Sequence, residues 1–274
     1  MEKYVLDLKV LSVERLHERY VLIKLGSDEP LPPMAPGQFV EVRVEGSPQT
    51  FLRRPISINF VDRQRNELWL LVATVGEGTR HLARLSEGDR LNCLLPLGKG
   101  FSAVPAGQRL LLVGGGVGVA PLLYQGALMQ QAGADVTFLL GARTDHDLLM
   151  LDAFSRYGRV LTTTEDGSMG ERGFVTNHSL LSQEQFDLIQ CCGPTPMMKA
   201  VARYARQTGT PCEVSLENLM ACGLGACLCC VEKVLSDESL VMSDATHPSK
   251  LSTQNVCVCK EGPVFNIDRL LWQS

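Results

Sequence analysis

The sequence predicts a chain of three units: an antiparallel β-barrel, a parallel-sheet α/β nucleotide-binding domain, and a small cysteine-rich domain. Short β-patterned runs broken by turn residues fill the first hundred positions. Strand patterns alternating with helical ones fill the next hundred, and cysteines crowd the remainder. The expected boundaries are 1–103, 104–211 and 212–274. The 274 residues are 45% apolar and 20% charged, as in a soluble protein with a real core. A net charge of −4 argues against a general nucleic-acid or anionic-membrane surface. No apolar run approaches the ~20 residues that span a bilayer. The first sixteen residues carry charges among their apolar positions, unlike the apolar stretch of a signal peptide. A cytoplasmic, reducing setting is expected, where cysteines bind metal or do chemistry more often than they form structural disulfides.

In the barrel zone, Phe39–Val44 and Ile56–Ile58 alternate, Glu67–Ala73 is an apolar run, and Asp89–Leu94 closes the set. Pro32-Pro33, Pro36-Gly37, Gly46-Ser47-Pro48 and Gly88-Asp89 punctuate them. Arg53-Arg54-Pro55-Ile56-Ser57 is awkward inside a ladder, since proline gives no donor. It suits an edge facing a planar, anionic ligand. Val75-Gly76-Glu77-Gly78-Thr79 opens a helical stretch running to Leu85, and its amides and the Thr79 hydroxyl could cap that helix or hold a phosphate.

In the α/β zone, the buried-strand pattern Arg109–Val113 meets Gly114-Gly115-Gly116-Val117-Gly118. A helix is expected over 120–131, with Pro121 in its first turn. Val136–Leu140, Val160–Thr164 and Asp187–Cys191 supply further strands. A helix with its apolar residues at helical spacing follows Pro194 and ends at Gly209. Glycines between strand and helix let amides approach a pyrophosphate, although GGGVGVAP is not the standard GxGxxG string. Cys192-Gly193-Pro194 repeats the arrangement, so two such turns mark a crevice at the strand carboxyl ends.

The cysteine zone packs four of the ten cysteines into nine positions, Cys222-x4-Cys227-x2-Cys230 with Cys229 between, and Cys257-Val258-Cys259 follows. That is plant-type [2Fe–2S] spacing, three thiolates on one loop and a fourth from afar. Zinc is the competing reading, but structural zinc usually takes two separated C-x2-C knuckles. Such a cluster carries single electrons, whereas a nicotinamide gives or takes a hydride. Joining the two calls for a flavin, with the RRPISI and VGEGT turns as its candidate site.

Taken in order, the barrel with R-P-x-S, the GxGT turn, the Gly-rich turn with Ala-Pro and the Cys-Gly-Pro-x-Pro-Met string resemble the ferredoxin–NADP reductase superfamily. Ser215–Cys227, with Cys259-Lys-Glu-Gly-Pro-Val-Phe265, resembles the electron-transfer subunits of NAD-linked dihydroorotate dehydrogenases. The resemblance implies that Arg54, Pro55, Ile56 and Ser57 line the FAD. It implies that Leu71, Val72 and Ala73 contact the flavin by backbone, and that Gly78 and Thr79 bind its pyrophosphate. Gly114, Gly115, Gly116 and Gly118 would flank NAD with Cys192, Gly193 and Pro194, and Cys222, Cys227, Cys230 and Cys259 would ligate the cluster. It further implies an FMN-containing catalytic partner that oxidises dihydroorotate for pyrimidine synthesis, in an assembly of two plus two subunits. Electrons would then run from that partner through the cluster and FAD to NAD. Two positions depart from the family pattern: Cys229 stands where a glycine is usual, and 28 residues separate Cys230 from Cys259. The x2 spacing favours Cys230 over Cys229, and the Gly-Pro-Val-Phe turn favours Cys259 over Cys257. The polar stretch 236–252 reads as a surface excursion. Arg143 could meet a 2′-phosphate, but Asp145 and Asp147 would repel one, so NAD is expected over NADP. The five histidines, His17, His81, His146, His178 and His247, show no ligand pattern.

The same cofactors could instead serve an NAD(P)H–ferredoxin, sulfide or hydrogenase-type complex. A different class altogether would be a zinc-stapled binding module.

Overall fold

The computed structural model describes residues 2–236 and 252–272; the interior of the 236–252 excursion, His247 included, lies outside the described residues. The barrel comprises β1 (Tyr4–His17), β2 (Tyr20–Gly26), β3 (Phe39–Val42), β4 (Arg54–Asp62), β5 (Glu67–Ala73) and β6 (Arg90–Leu97), with the short helix α1 (Glu77–Leu82) before β6. The strands close in the order β1-β2-β5-β4-β3-β6, every pairing antiparallel. The first two strands come from the N-terminal stretch, whose charged residues alternate with the buried Leu8 and Val10. In β3 the alternation carries a second meaning. Val40 and Val42 fill the barrel, while Phe39 and Glu41, on the outer face, are buried too because another part of the chain covers them.

The second body is a seven-stranded sheet in the order β10-β9-β8-β7-β11-β12-β15. Its members are β7 (Arg109–Gly115), β8 (Asp135–Ala142), β9 (Arg159–Thr164), β10 (Glu171–Arg172), β11 (Leu188–Cys192), β12 (Cys212–Ser215) and β15 (Val264–Asn266). All neighbours run parallel except β12 with β15. Helices α2 (Ala120–Gln131) and α5 (Thr195–Thr208) stand where the apolar periodicity puts them, and Gly209 ends α5 in the left-handed conformation, φ 67°. Two single-turn helices, α3 (Leu151–Phe154) and α4 (Leu180–Gln183), join the remaining strands.

The cysteine-rich segment is interleaved with this sheet. β12 and β15 both lie beyond residue 211, so the expected division there falls between strands of one sheet. Between them the chain makes the thiol loop and a hairpin of β13 (Val231–Leu235) and β14 (Thr253–Cys257). Cys230, Val234, Val256, Val258 and Cys259 share one core with Phe39 and Leu97 of the barrel and with Val214 and Phe265 of the sheet. Lys99 N donates to Gly262 O at 2.5 Å, pinning the far end of the segment to the barrel. A buried polar relay ties the linker after the barrel to the sheet. Gln125 Nε2 and Gln190 Nε2 both donate to Ser102 O at 2.8 Å, and Gln190 also reaches Glu213.

Helix α2 lies on the sheet through Gly126, where a side-chain carbon would stand 2.7 Å from Phe138 Cε1. Gly126→Ala should therefore overpack this contact. The expected outcome is a loss of about 1–3 kcal/mol of stability, read as a lower denaturant midpoint with the dinucleotide crevice intact.

Candidate functional site

The predicted flavin residues meet where the barrel wall parts. The β4–β5 ladder begins only at Ile58 opposite Leu70. Arg54–Ser57 therefore pair with β3 alone, and Leu71–Ala73 with β2 alone. Arg54-Pro55-Ile56-Ser57 thus have an open flank inside a barrel that has no free edge strand, which accommodates a proline that cannot donate. Ile56 and Val72 point into the barrel core and Leu71 into the core of the sheet, so these residues offer the cleft their backbone. Gly78 brings the turn after β5 against the same place: a Cβ there would meet Arg54 Nε at 2.8 Å and Thr50 Cγ2 at 3.0 Å. Thr79 Oγ1 accepts from Gly76 N at 3.0 Å and donates to Gly76 O at 3.1 Å, so the hydroxyl closes the turn as a cap. An arginine, a glycine packed against it and an unladdered backbone suit an anionic, planar cofactor.

A second cleft, of about 650 Å³, opens beyond the β7 turn. Gly115, Gly116, Gly118, Pro194 and Met197 line it, with Tyr20 from the barrel side. Two strand ends meet here almost backbone to backbone: a Cβ on Gly118 would lie 2.5 Å from Gly193 Cα and 2.6 Å from Cys192 O. Gly114 faces Val119, Leu122 and Leu140 and serves packing. Cys192 gives the crevice its backbone only; its thiol is buried, and burial, then the nearby Glu217 charge, push it well above the ordinary range. Arg143 lies exposed on the rim, and Asp147 pairs with Arg19 at 3.6 Å. Glu217, exposed to solvent, also lines this cleft. Sequence reasoning passed over it, although it stands in the quoted Ser215–Cys227 string.

The third site is the thiol loop. Gly223 and Gly225 hold φ of 66° and 80° and Leu228 holds 59°, left-handed turns that wrap the loop on itself. Cys222 Sγ accepts from Leu224 N at 3.3 Å. Burial raises the Cys222 thiol, but the amides of Leu224, Cys227 and Ala226, with the Cys227 thiol, outweigh it and bring the thiol down to about 6. Cys230 and Cys259 are buried side by side, with Cys259 N donating to Cys230 Sγ at 3.4 Å. Burial and the Cys230 thiol push Cys259 up to about 12. Among the described residues no three His, Cys, Asp or Glu side chains are gathered to grip a single ion. Cys222 and Cys227 interact through their side chains, and Cys230 does so with both Cys259 and Cys257. Cysteines gathered on this loop and the turn beside it, with amides donating to Cys222 and Cys230, fit an iron–sulfur cluster. Cys229 is exposed, whereas Cys257 lies against the loop, its Sγ 3.7 Å from Gly225 O.

The cluster loop and the flavin cleft meet at Glu41, another residue the sequence reading left unremarked. A Cβ on Gly223 would stand 2.7 Å from Glu41 Cγ. Burial pushes the Glu41 carboxyl up to about 7, Arg53 lowers it, Cys222 raises it and Arg54 lowers it.

Residues 217–271 match the family described as the iron-sulfur cluster binding domain of dihydroorotate dehydrogenase B, and residues 112–203 match the oxidoreductase NAD-binding domain. The chain is 39% identical over 241 residues to the electron transfer subunit of dihydroorotate dehydrogenase B (NAD(+)) of Shouchella clausii, covering 86% of each chain. With the same subunit of Listeria monocytogenes it shares 36% over 267 residues, 96% of this chain and 98% of the relative. Among solved structures, an NADH-dependent reduced ferredoxin-NADP oxidoreductase superposes with a TM-score of 0.81 at 30% identity, covering 97% of this chain and 90% of that one. A ferredoxin reductase of carbazole 1,9a-dioxygenase, at 21% identity and a TM-score of 0.65 over 77% of this chain and 68% of that one, shares the fold.

The contact of Gly118 with Gly193 generates a direct test. Gly118→Ala should force the two turns apart and raise the dissociation constant for a dinucleotide such as NADH by about tenfold or more, measured by fluorescence titration, while flavin and iron content stay unchanged.

Proposed function

The chain belongs to the family of electron-transfer subunits of NAD-linked dihydroorotate dehydrogenase B, and from that premise we propose that it carries electrons between a dihydroorotate-oxidising partner and NAD. The observation that carries this reading is the convergence of an open barrel flank, a double glycine crevice and a thiol-rich loop on one packed frame. When bound, FAD converts between the hydride of a nicotinamide and the single electrons that a [2Fe–2S] cluster carries.

The chain's own residues then have separable tasks. Arg54, with Gly78 and Thr79 beside it, would balance and cradle the FAD pyrophosphate. Pro55, Ile56 and Ser57, with the backbone of Leu71, Val72 and Ala73, would frame the isoalloxazine. Gly115, Gly116 and Gly118 would bring amides close to the dinucleotide opposite Gly193 and Pro194, and Gly114 and Cys192 would hold the strand ends that carry these turns. Cys222, Cys227, Cys230 and Cys259 would ligate the cluster, with Cys229 as a spare thiol and Cys257 as a neighbour. The acidic Asp145 and Asp147 support NAD over NADP.

The partner would be an FMN-containing catalytic subunit, two copies of each forming the assembly, working in the cytoplasm in pyrimidine synthesis. Among the described residues no helix is long and apolar enough to cross a membrane. Leu219, Leu224 and Leu228, exposed around the thiol loop, supply apolar surface for such a docking. A second reading keeps the cofactors and changes the partner. The likeness to the ferredoxin-NADP oxidoreductase supports it, and the protein that co-purifies from native extract decides between them.

Purified alone, the chain should reduce a dye with NADH and leave dihydroorotate unoxidised, and turnover of dihydroorotate without a partner would refute the division of labour. Cys229→Ser should keep its iron and its EPR signal, whereas Cys259→Ser should lose both. Loss in the first variant and retention in the second would reverse the ligand assignment.

A further inference from the structure

Glu41 is a fully buried carboxylate on the outer face of β3, at 0% exposure, and neither carboxylate oxygen has a hydrogen-bond partner among the described residues. Burying such a group without partners is costly, and polar groups kept in that state are uncommon in folded chains. Packing alone does not call for it, since the other outer-face residue of β3, Phe39, fills the same interface with an apolar ring.

Its surroundings say where the charge acts. β3 pairs with β4 so that Glu41 faces Pro55 across the ladder, and with β6 so that it faces Leu94. The Arg53 guanidinium donates to the backbone oxygens of Glu41 and Asn92, and to the Asn92 side chain, so its hydrogen bonds bypass the carboxylate. Arg53 and Arg54 supply positive charge nearby, and the Cys222 thiol is close enough to act on the same carboxyl. The carboxylate reaches the start of the thiol loop: a Cβ on Gly223 would be 3.1 Å from Glu41 Oε1 and 2.9 Å from Leu97 Cδ1. Gly223, next to Cys222 in the chain, lies against this unpaired carboxylate, and its lack of a side chain permits the approach.

We infer that Glu41 tunes the reduction potential of the cluster held by this loop, its negative charge opposing the arrival of an electron there. The inference rests on the [2Fe–2S] reading of the thiol loop and adds to it an electrostatic determinant from the barrel. A neighbouring charge in a medium of low effective dielectric shifts a one-electron couple directly, and cluster potentials follow local charge, hydrogen bonding and burial. Glu41 ligates nothing and carries no electron; it is a tuning residue that acts through space on its neighbour.

The test is a potentiometric titration of the holoprotein, followed by the EPR signal of the reduced cluster, at one alkaline pH. Glu41→Gln keeps the shape and removes the charge, and at fixed ambient potential it should raise the ratio of reduced to oxidised cluster by about tenfold. Glu41→Asp keeps the charge and should stay close to the unmodified chain. An unchanged ratio in Glu41→Gln at full iron content would overturn the inference. So would loss of iron from Glu41→Gln, which would make the residue a packing element. Absence of any cluster signal from the unmodified chain would instead remove the reading beneath it.

Discussion

The arrangement depends on a close backbone contact between the barrel and the cysteine segment. At one end Gly223 lies over Glu41 and Leu97; at the other, Lys99 N bonds to Gly262 O. Gly98 and Gly262 approach so closely that a Cβ on Gly98 would meet the Gly262 oxygen at 2.6 Å. Between these two pins the segment carries its thiols across a core shared by barrel and sheet. Three sites that would be independent on separate domains therefore keep a fixed spacing, which a relay of electrons requires of its carriers.

The two clefts use backbone in different ways. At the flavin cleft, two strands fail to ladder over a few residues and leave main-chain groups for a ligand. At the dinucleotide crevice, two strand-to-helix turns pack against each other and glycine removes the side chains that would hold them apart. Tyr20 of β2 lines the second cleft from the barrel side. The polar relay through Gln125, Gln190, Glu213 and Ser102 fastens the linker that leaves the barrel to the sheet. It does so with buried, satisfied amides, which lock one geometry where an apolar contact could slide.

Much of this was legible in the amino-acid order. Helices α2 and α5 follow from local punctuation, a glycine turn with Pro121 before the first and Gly209 after the second. The thiol spacing pointed to its chemistry because ligand geometry constrains a short loop. Tertiary facts were less visible. The sequence does not mark β15 as a strand of the preceding sheet, because it reaches β12 only across the whole thiol loop and hairpin. Nor could alternation alone reveal that the outer face of β3 is covered, so Glu41 read as one more polar residue on a half-buried strand. Glu217 escaped for a similar reason: its cleft exists only once β12 has taken its place beside β11.

The central claim is that one chain joins a two-electron carrier to a one-electron carrier. An anaerobic titration with NADH, followed by flavin absorbance and cluster EPR together, tests it most directly. The account predicts that each chain accepts three electrons, two bleaching the flavin and one producing the signal of a reduced [2Fe–2S] cluster. A chain that accepts only two with no EPR signal, or a colourless chain carrying zinc, would contradict it.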